Sequence, residues 1–279
     1  MKRRAIVLAI GLASVVVAFA AFVRIFEGSF LYFPSRDGDW GRPRSAPFLI
    51  EDVPFRAEDG VELHGWFAHA RSARWTLLWF HGNAGNITNR YDTMVEFVER
   101  LGVNVFLIDY RGYGRSQGSP SEEGLYRDAT AAYRTLVARG IPPNRIVVFG
   151  KSLGGAVAAD LADREPVAGL ILQSTFTSTP EMSKQVLPGL PARWFMRTRF
   201  DTRSKIARIR APKLIVHSRG DEVVPFSMSE ELFRSAAEPK RQAWFEGAEH
   251  GAVTLHRNAW YASIRGFLDS LADAPLPVR

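Results

Sequence analysis

A serine set between two glycines offers the clearest chemistry in this sequence. Residues 150–154, Gly-Lys-Ser-Leu-Gly, follow the apolar run of residues 146–149 and precede an alanine-rich segment, residues 155–162. A strand, Gly-x-Ser-x-Gly and a helix in succession indicate a tight turn that exposes a nucleophilic serine, here Ser152. Glycine suits the flanking positions because it has no Cβ atom to crowd the turn. The Leu153 amide then lies at a helix N-terminus, where it can stabilise a developing oxyanion.

A nucleophilic serine needs a neighbouring base and an acid that orients the base. In chains with this serine turn, the acid and then the histidine follow the serine in sequence. Two histidines come late enough, His250 in a glycine-containing loop after the last strand and His256 in an amphipathic helical pattern. A loop can carry an imidazole over the end of a sheet, whereas a histidine in such a helix is typical of a structural residue. We therefore predict that His250 is the base.

The acid is expected in a loop after one of the two strands that follow the serine turn. The first loop, residues 173–179, contains no carboxylate, and the second contains Asp221 and Glu222. Asp221 follows a glycine at a turn and has the shorter side chain, so we predict it as the acid, with Glu222 as the alternative. An aspartate at this position could instead serve only to form the turn.

The oxyanion needs a second amide beside that of the serine turn. Residues 80–86, Phe-His-Gly-Asn-Ala-Gly-Asn, follow the third strand, and their glycines allow backbone amides to turn inward. We predict the amide of Asn83 as this donor and His81 as a residue that shapes the loop. The glycine-rich loop after the fourth strand lacks phosphate-binding spacing, so we interpret it as a rigid support with an Asp109–Arg111 pair.

The segments around these residues alternate between strand and helix patterns. Residues 48–56 and 61–69 predict an antiparallel hairpin across a Glu-Asp-Gly turn. Further strands are predicted at residues 75–80, 103–108, 146–149, 167–172, 213–217 and 242–245. Helices are predicted at residues 87–101, 121–139, 153–162, 227–237 and about 253–271. Strands separated by crossover helices predict an α/β fold with a mostly parallel, doubly wound sheet and antiparallel leading strands.

Residues 176–210 are too long for a simple connection between two of these strands. The segment mixes apolar side chains, among them Leu187, Trp194 and Phe200, with many arginines. We interpret it as a small lid insertion over the catalytic face that touches anionic headgroups or admits an acyl chain. A surface helix whose arginines are merely solvated is the alternative.

The N-terminus carries a membrane signal. Residues 2–4, Lys-Arg-Arg, precede the uncharged residues 5–23, which are long enough to span a bilayer as a helix. The basic cluster predicts a cytoplasmic N-terminus and a single-pass protein whose catalytic domain is extracytoplasmic, in the periplasm if the chain is bacterial. A cleaved signal peptide is the alternative, because residues 18–20, Ala-Phe-Ala, resemble a cleavage site. We favour the retained anchor because the apolar run continues past that site.

Length and composition bound the remaining possibilities. The 279 residues, 46% of them hydrophobic, suffice for one large α/β domain. We place this domain at residues 48–272, after an anchor of residues 1–23 and a linker of residues 24–47, and before a tail of residues 273–279. The lack of cysteine excludes disulfides and thiolate chemistry, and the histidine spacing predicts no metal site. The net charge of +7 comes without a recognisable nucleic-acid module, so no nucleic-acid partner is expected, and the oligomeric state stays open.

Five motifs in order carry a family resemblance: residues 80–86, residues 109–118, residues 150–154, the Gly220-Asp221 turn and the His250 loop. Together with the N-terminal span, they resemble the membrane-anchored α/β-hydrolase-domain proteins classed as serine-aminopeptidase-like. The resemblance covers about residues 48–271. It implies the α/β-hydrolase fold and a cofactor-free serine hydrolase that acts on ester, thioester or amide bonds.

We therefore expect a serine hydrolase that cleaves ester or thioester bonds of a small acyl ester or a lipid through an acyl-enzyme. In this interpretation Ser152 is the nucleophile, His250 is the base and then the acid, and Asp221 orients His250. The amides of Asn83 and Leu153 form the oxyanion hole. A serine peptidase or amidase is the alternative enzyme, although no clear acidic cluster would hold a free amino terminus. A non-catalytic binding protein on the same fold is the alternative from another class.

Overall fold

A central sheet organises the computed structural model, which describes residues 2–247, 250 and 256–272. The strands in chain order are β1 (Phe33–Pro34), β2 (Ile50–Arg56), β3 (Glu62–Ala68), β4 (Thr76–Phe80), β5 (Ala84–Gly85), β6 (Asn104–Asp109), β7 (Ile146–Lys151), β8 (Gly169–Gln173), β9 (Lys213–Ser218) and β10 (Lys240–Phe245). Eight of these form the sheet, in the order β10-β9-β8-β7-β4-β6-β3-β2. The β2–β3 hairpin and the β3–β6 pair are antiparallel, and the other pairs are parallel. The mostly parallel sheet with antiparallel leading strands is thus confirmed.

Helices cover both faces of this sheet. In chain order they are α1 (Lys2–Leu31), α2 (Tyr91–Glu96), α3 (Glu122–Ala138), α4 (Leu153–Arg164), α5 (Thr179–Val186), α6 (Thr202–Ile206), α7 (Phe226–Ser235) and α8 (Arg257–Ala272). Short 3-10 turns lie at Arg42–Ser45, Ile87–Arg90, Pro143–Arg145 and Ala192–Trp194, and a π turn at Phe97–Leu101. The start of the last predicted helix, residues 253–255, and the tail of residues 273–279 lie outside the described residues.

The strand that carries the serine turn is buried on both faces. Ile146 and Val148 pack in the core cluster shared with α3, α4 and α7. Val147 and Phe149 pack in the second cluster, with α2 and α8. Because successive side chains of a strand point to opposite faces, an unbroken apolar run fits only such a central position. The end of β7, and Ser152 after it, are therefore held rigidly at the middle of the sheet.

The segment of residues 87–101, predicted as one regular helix, is helical but irregular. It consists of a 3-10 turn, α2 and a π turn in succession. Asn86 caps the first segment, because its side chain accepts the Thr88 amide at 2.9 Å and its own amide donates to Asn89 at 2.9 Å. Gly102 ends the last segment with φ of 66°, a conformation that favours glycine.

Helix α1 continues past Val23 to Leu31, through the first part of the expected linker. Among the described residues it is the one helix long and apolar enough to cross a membrane, a property that signal sequences share. Its last turns contact the rest of the protein. The Glu27 carboxylate accepts the Arg197 amide at 2.9 Å, and the Phe19 ring lies 5.8 Å from the Phe195 ring. The end of this helix is therefore part of the folded unit.

The insertion of residues 176–210 consists of α5, a short 3-10 turn and α6. Glu122, at the start of α3, holds the segment before α6. Its carboxylate accepts the Arg199 amide at 2.6 Å and the Phe200 amide at 2.7 Å. The Phe200 ring is fully buried and lies 5.6 Å from the Tyr126 ring. The insertion is thus held between α1 and the main domain.

Candidate active site

Ser152 lies on the turn between β7 and α4 with φ of 53° and ψ of −118°. A positive φ is unusual for serine and indicates backbone strain held by the surroundings. The two flanking glycines explain how the turn closes. A Cβ atom on Gly150 would lie 2.2 Å from the Gly154 carbonyl oxygen, and one on Gly154 would lie 2.0 Å from the Phe80 oxygen. Any larger residue would force the strand and helix apart.

Asp221 lies in the turn after β9, and its side chain is fully buried. Its Oδ1 accepts the amides of Val223 at 2.9 Å and Val224 at 2.8 Å. Asp221 thus forms the turn, which is the alternative role considered for it from the sequence. The carboxylate also does more, because it contacts two histidines.

His250 is the first of these histidines. Its Nδ1 lies 3.0 Å from Asp221 Oδ1 and 2.9 Å from Oδ2, and its side chain is 20% exposed. Because the neighbouring oxygens are acceptors, Nδ1 carries the proton and donates it to the carboxylate, which leaves Nε2 as the basic nitrogen. The structure thus brings Asp221 and His250 together. Glu222, the alternative acid, is exposed to solvent.

His217, the second histidine, was missed by the sequence analysis, which placed it only at the end of a strand. Its Nε2 lies 3.1 Å from Asp221 Oδ2 and 2.9 Å from the Val224 carbonyl oxygen, and Nδ1 lies 2.5 Å from Ser229 Oγ. Both groups facing Nε2 are acceptors, so this nitrogen is the donor. The sequence contains one indication of this contact: His217 ends a predicted strand, and Asp221 follows it by four residues in the next turn.

These donors set the protonation state of the acid. Burial raises the pKa of Asp221, but hydrogen bonds from His217, His250 and the Val224 amide outweigh it and hold the pKa well below its usual range. Asp221 therefore stays ionised across the physiological pH range. A permanent carboxylate at Nδ1 is what an imidazole needs if it is to accept a proton at Nε2.

The loop after β4 lies beside the serine. A Cβ atom on Gly82 would lie 3.7 Å from the Ser152 Cβ, an ordinary van der Waals distance. Asn83 is fixed by its other groups: its carbonyl accepts the Phe33 amide at 2.9 Å and the Tyr113 hydroxyl at 2.7 Å, and its Nδ2 donates to Leu31 O at 3.0 Å. No hydrogen bond between described residues uses the Asn83 amide.

The other amide expected in the oxyanion hole belongs to Leu153, the first residue of α4. An amide in the first turn has no carbonyl partner within its own helix, and the helix dipole adds positive character there. The serine turn and the loop after β4 thus place two candidate amides at one edge of the sheet.

His81 is buried in this loop, in contact with two tyrosines. Its Nδ1 lies 2.6 Å from the Gly82 carbonyl oxygen, and its ring lies 4.6 Å from the Tyr110 ring and 5.4 Å from the Tyr113 ring. The side chain has no exposed surface. These contacts suit a residue that shapes the loop.

The expected Asp109–Arg111 pair is not formed, so that detail was wrong. Arg111 instead contacts Asp128 of α3, with Nε to Oδ1 at 2.9 Å, and Asp59 of the leading hairpin, with Nη1 to Oδ2 at 2.7 Å. Asp109 accepts the Ile87 amide at 3.0 Å. The two side chains leave the loop toward different elements, because each finds a partner with better geometry there.

His256 lies just before α8, where its Nε2 is 2.6 Å from the Glu246 carbonyl oxygen and its ring stacks on that of Phe245 at 5.7 Å. This arrangement ties the end of β10 to the start of α8. His256 is thus placed as a structural residue, one position ahead of the helix.

Comparison with known proteins identifies relatives of this chain. A family model described as serine aminopeptidase, S33, matches residues 71–200. An uncharacterized protein of Mycobacterium tuberculosis is 38% identical over 249 residues, which is 87% of each chain. The α/β hydrolase domain-containing protein WAV2 of Arabidopsis thaliana is 36% identical, over 90% of this chain and 87% of its own.

Solved structures show the same fold at lower sequence identity. An esterase of Pyrococcus furiosus superposes with a TM-score of 0.71 at 20% identity, covering 86% of this chain and 98% of its own. The esterase RhEst1 of a Rhodococcus species gives 0.62 at 20% identity, with coverage of 79% and 99%. The sheet order, the serine turn and these relatives agree with the fold and the resemblance expected from the sequence motifs. The chain belongs to the α/β-hydrolase family.

Proposed function

We propose that this protein is a serine hydrolase that cleaves carboxylic ester or thioester bonds through an acyl-enzyme on Ser152. The observation that carries the proposal is the hydrogen-bonded pair of His250 and the buried Asp221, in a chain whose Ser152 is held at φ of 53° on a strand-to-helix turn. Backbone strain of this kind is kept where function requires it.

In the proposed reaction, His250 Nε2 removes the hydroxyl proton while Ser152 Oγ attacks the carbonyl carbon. The Asp221 carboxylate stabilises the resulting imidazolium, and the amides of Asn83 and Leu153 hold the oxyanion. The intermediate collapses as the imidazolium gives its proton to the leaving alcohol or thiol. Water, deprotonated by the same nitrogen, then attacks the acyl-enzyme, which releases the carboxylic acid and restores the serine.

The charges near the serine favour an ester or thioester substrate over an aminopeptidase substrate. Lys151 precedes Ser152, and burial, then the charge of Arg90, lower the pKa of its ammonium group. The Arg90 guanidinium donates to the Ala84 carbonyl, in the loop beside the serine, at 2.7 Å. Asp221 is already engaged by two histidines. The Arg90 guanidinium would repel the free amino terminus of a peptide, and Lys151, whose ammonium loses its proton more readily, offers that terminus no negative partner.

We further propose that α1 anchors the catalytic domain at a membrane, on the extracytoplasmic side. The insertion supports a membrane surface, because it exposes Val186 (62%), Leu190 (51%) and Trp194 (69%) beside that helix. Arg193 lies 4.8 Å above the Trp194 ring. Paired aromatic and cationic side chains are typical of the interface between hydrocarbon and headgroups.

The test is to label the full-length chain in detergent with a fluorophosphonate probe and to measure hydrolysis of p-nitrophenyl butyrate, an acyl thioester and an aminoacyl p-nitroanilide. We expect labelling, hydrolysis of the first two, and little of the third. Ser152→Ala should abolish labelling, and Ser152→Ala and His250→Ala should each lower kcat roughly 10⁵- to 10⁶-fold, since the two residues act as a unit. Asp221→Asn should cost less, roughly 10⁴-fold.

Ser227→Ala is the matched control, because Ser227 is an exposed serine of α7. It should label and turn over substrate like the unmodified chain. Near-normal esterase activity in His250→Ala would remove the proposed triad. A chain that hydrolyses the aminoacyl anilide best would be a peptidase, and one that neither labels nor hydrolyses would be a binding protein.

A further inference from the structure

An apolar groove lies between the last turns of α1 and the insertion. It encloses about 100 Å³ and is lined by Phe22, Phe30 and Leu31 of α1 and by Met182, Val186 and Met196 of the insertion. On α1, the lining residues Val23, Glu27 and Leu31 are spaced four residues apart, so they occupy one face of the helix. The groove is therefore formed where the insertion packs on this face of α1.

Each wall of the groove is linked to the candidate active site by a hydrogen bond. On the α1 side, Leu31 accepts a hydrogen bond from Asn83 Nδ2 at 3.0 Å, so this wall ends on the expected oxyanion loop. On the other side, Thr175 Oγ1 donates to the Ser152 carbonyl at 2.7 Å, and the chain then runs directly to Thr179, which lines the groove. One wall thus contacts the loop beside Ser152, and the other continues from the segment that binds the Ser152 carbonyl.

The outer end of the groove is apolar and exposed. Phe22 is 48% exposed and Val186 62%. Exposed apolar groups of this size, gathered at one place, indicate contact with a partner or with lipid. They continue the surface of the one described helix that could cross a membrane, so bilayer hydrocarbon would adjoin this end.

The one charged residue in the lining does not make the groove polar. Glu27 Oε2 accepts the Arg197 amide at 2.9 Å, and Oε1 accepts the Thr198 hydroxyl at 3.2 Å. Both carboxylate oxygens therefore serve to hold the insertion against α1. The hydroxyls of Thr179 and Ser183, which also line the groove, donate to the Thr198 and Pro180 carbonyls. The aliphatic, aromatic and thioether side chains of the lining suit an alkyl chain.

We propose that this groove binds the acyl chain of a membrane-resident ester, with the carbonyl at Ser152 and the far end of the chain toward the bilayer. This inference rests on the proposed function, since it names the substrate class of the same site. It also gives the insertion and the end of α1 a shared role as the two halves of an acyl-binding site.

The test measures kcat/KM of the full-length protein in lipid nanodiscs on p-nitrophenyl esters from butyrate to palmitate. Val186→Trp places a large side chain at the outer wall, where the exposed position tolerates it. We expect long-chain kcat/KM to fall at least tenfold, because each methylene excluded from an apolar site costs about fourfold. Butyrate hydrolysis should stay within about twofold. Met182→Trp, further along the same wall, should give the same selective loss.

Val137→Trp is the control, since Val137 is an exposed apolar residue of α3 that does not line the groove. It should leave the chain-length profile unchanged. If Val186→Trp and Met182→Trp hydrolyse every ester like the unmodified chain, or lose activity equally at all lengths, the groove is not the acyl site. Absence of Ser152-dependent ester hydrolysis at any length would instead defeat the proposed function, so the two failures are distinguishable.

Discussion

The buried Asp221 carboxylate has two histidine partners with different roles. His250 is part of the proposed reaction, while His217 is fully buried and its donor nitrogen is shared between Asp221 and the Val224 carbonyl. Ser229 lies at the other ring nitrogen, so the imidazole is fixed on both sides. We infer that His217 is a positioning residue, which keeps the carboxylate in the orientation that His250 requires.

Replacing His217 should therefore slow catalysis without weakening substrate binding. His217→Leu removes one hydrogen bond to a charged group, a loss of about 1.5–3 kcal/mol if it is felt fully in the transition state. We expect kcat to fall roughly 10- to 100-fold with KM nearly unchanged, because His217 lies behind Asp221 and not against the substrate. His217→Gln, which keeps a donor near the Nε2 position, should recover part of the rate.

His69→Leu is the control for losing a histidine–carboxylate pair, because His69 contacts Glu51 at the surface of the leading hairpin, with Nε2 to Oε1 at 2.5 Å. It should leave kcat unchanged. Thermal unfolding and fluorophosphonate labelling report whether each variant is folded. An equal loss in His217→Leu and His217→Gln, accompanied by a rise in KM, would mean that His217 supports the fold and does not position the acid.

Among single residues, the sequence predicted the candidate site residues that belong to recognisable motifs. Ser152, Asp221 and His250 follow from the glycine spacing and the chain order, and the structure places Asp221 against His250. His217 could not be found in this way, because its role depends on a turn that folds back on its own strand. The predicted Asp109–Arg111 pair was wrong for the same reason. Proximity in sequence does not show which distant carboxylates contact a guanidinium, here Asp59 and Asp128.

Among the elements, the strands were the most predictable, because a strand buried on both faces needs an unbroken apolar run. Residues 146–149 form the first four residues of β7. The end of α1 was not predictable from hydropathy. Residues 24–31 include Arg24 and Glu27, and they remain helical because Glu27 and Arg24 bond to the insertion. Local sequence does not contain that tertiary contact.

Strand β9 begins with a fully buried lysine, an expensive choice for a strand interior. The Lys213 ammonium donates to the Ala237 carbonyl at 2.7 Å. Burial lowers the pKa of Lys213 from 10.5 to about 8. The folded chain thus releases this proton at lower pH than the unfolded chain does. Between pH 8 and 10.5 the unfolded state binds more protons, so this group makes stability rise with pH in that window.

The prediction is that this pH dependence disappears in Lys213→Met. Between pH 8 and 10.5 the free energy of unfolding of the unmodified chain should rise by up to about 3 kcal/mol relative to the variant. Urea unfolding in detergent micelles, at a series of pH values, measures the difference. Lys184→Met controls for removing a lysine, since Lys184 is an exposed lysine of α5. Parallel stability curves for the unmodified chain and Lys213→Met would contradict the assignment.

At the scale of the whole molecule, α1, the insertion and the catalytic domain form a connected unit. Glu27 of α1 and Glu122 of α3 accept backbone amides from the same stretch of the insertion, residues 197–200. Asn83 binds Leu31, so the same helix end also meets the loop beside the serine. Cleavage near Ala20 would leave these contacts in place, because they all lie beyond it. The position of the domain at a membrane therefore depends on whether the first part of α1 is retained.

The last prediction concerns the side of the membrane on which this unit lies. Residues 2–4 place three positive charges at the start of α1, ahead of its uncharged run, which favours retention of the N-terminus in the cytoplasm. Arginines also follow the helix, such as Arg36, but a large folded domain is translocated largely regardless of its charge. A reporter enzyme that is active only outside the cytoplasm, fused to the C-terminus, should therefore give signal, and a fluorescent reporter that matures only in the cytoplasm should not.

Changing Lys2, Arg3 and Arg4 together to Gln removes the proposed orientation signal and leaves α1 otherwise intact. The extracytoplasmic signal should then fall, while Arg36→Gln, a charge removed from the other side of the helix, should maintain or increase it. The apparent mass of the fusion separates a retained anchor from a cleaved signal peptide, because cleavage near Ala20 removes about 2 kDa of a 31.2 kDa chain of 279 residues. Activity of the cytoplasmic reporter in the unmodified fusion would place the catalytic domain inside. The acyl groove would then open toward the inner leaflet, and its substrate would be a lipid or acylated protein of the cytoplasmic face.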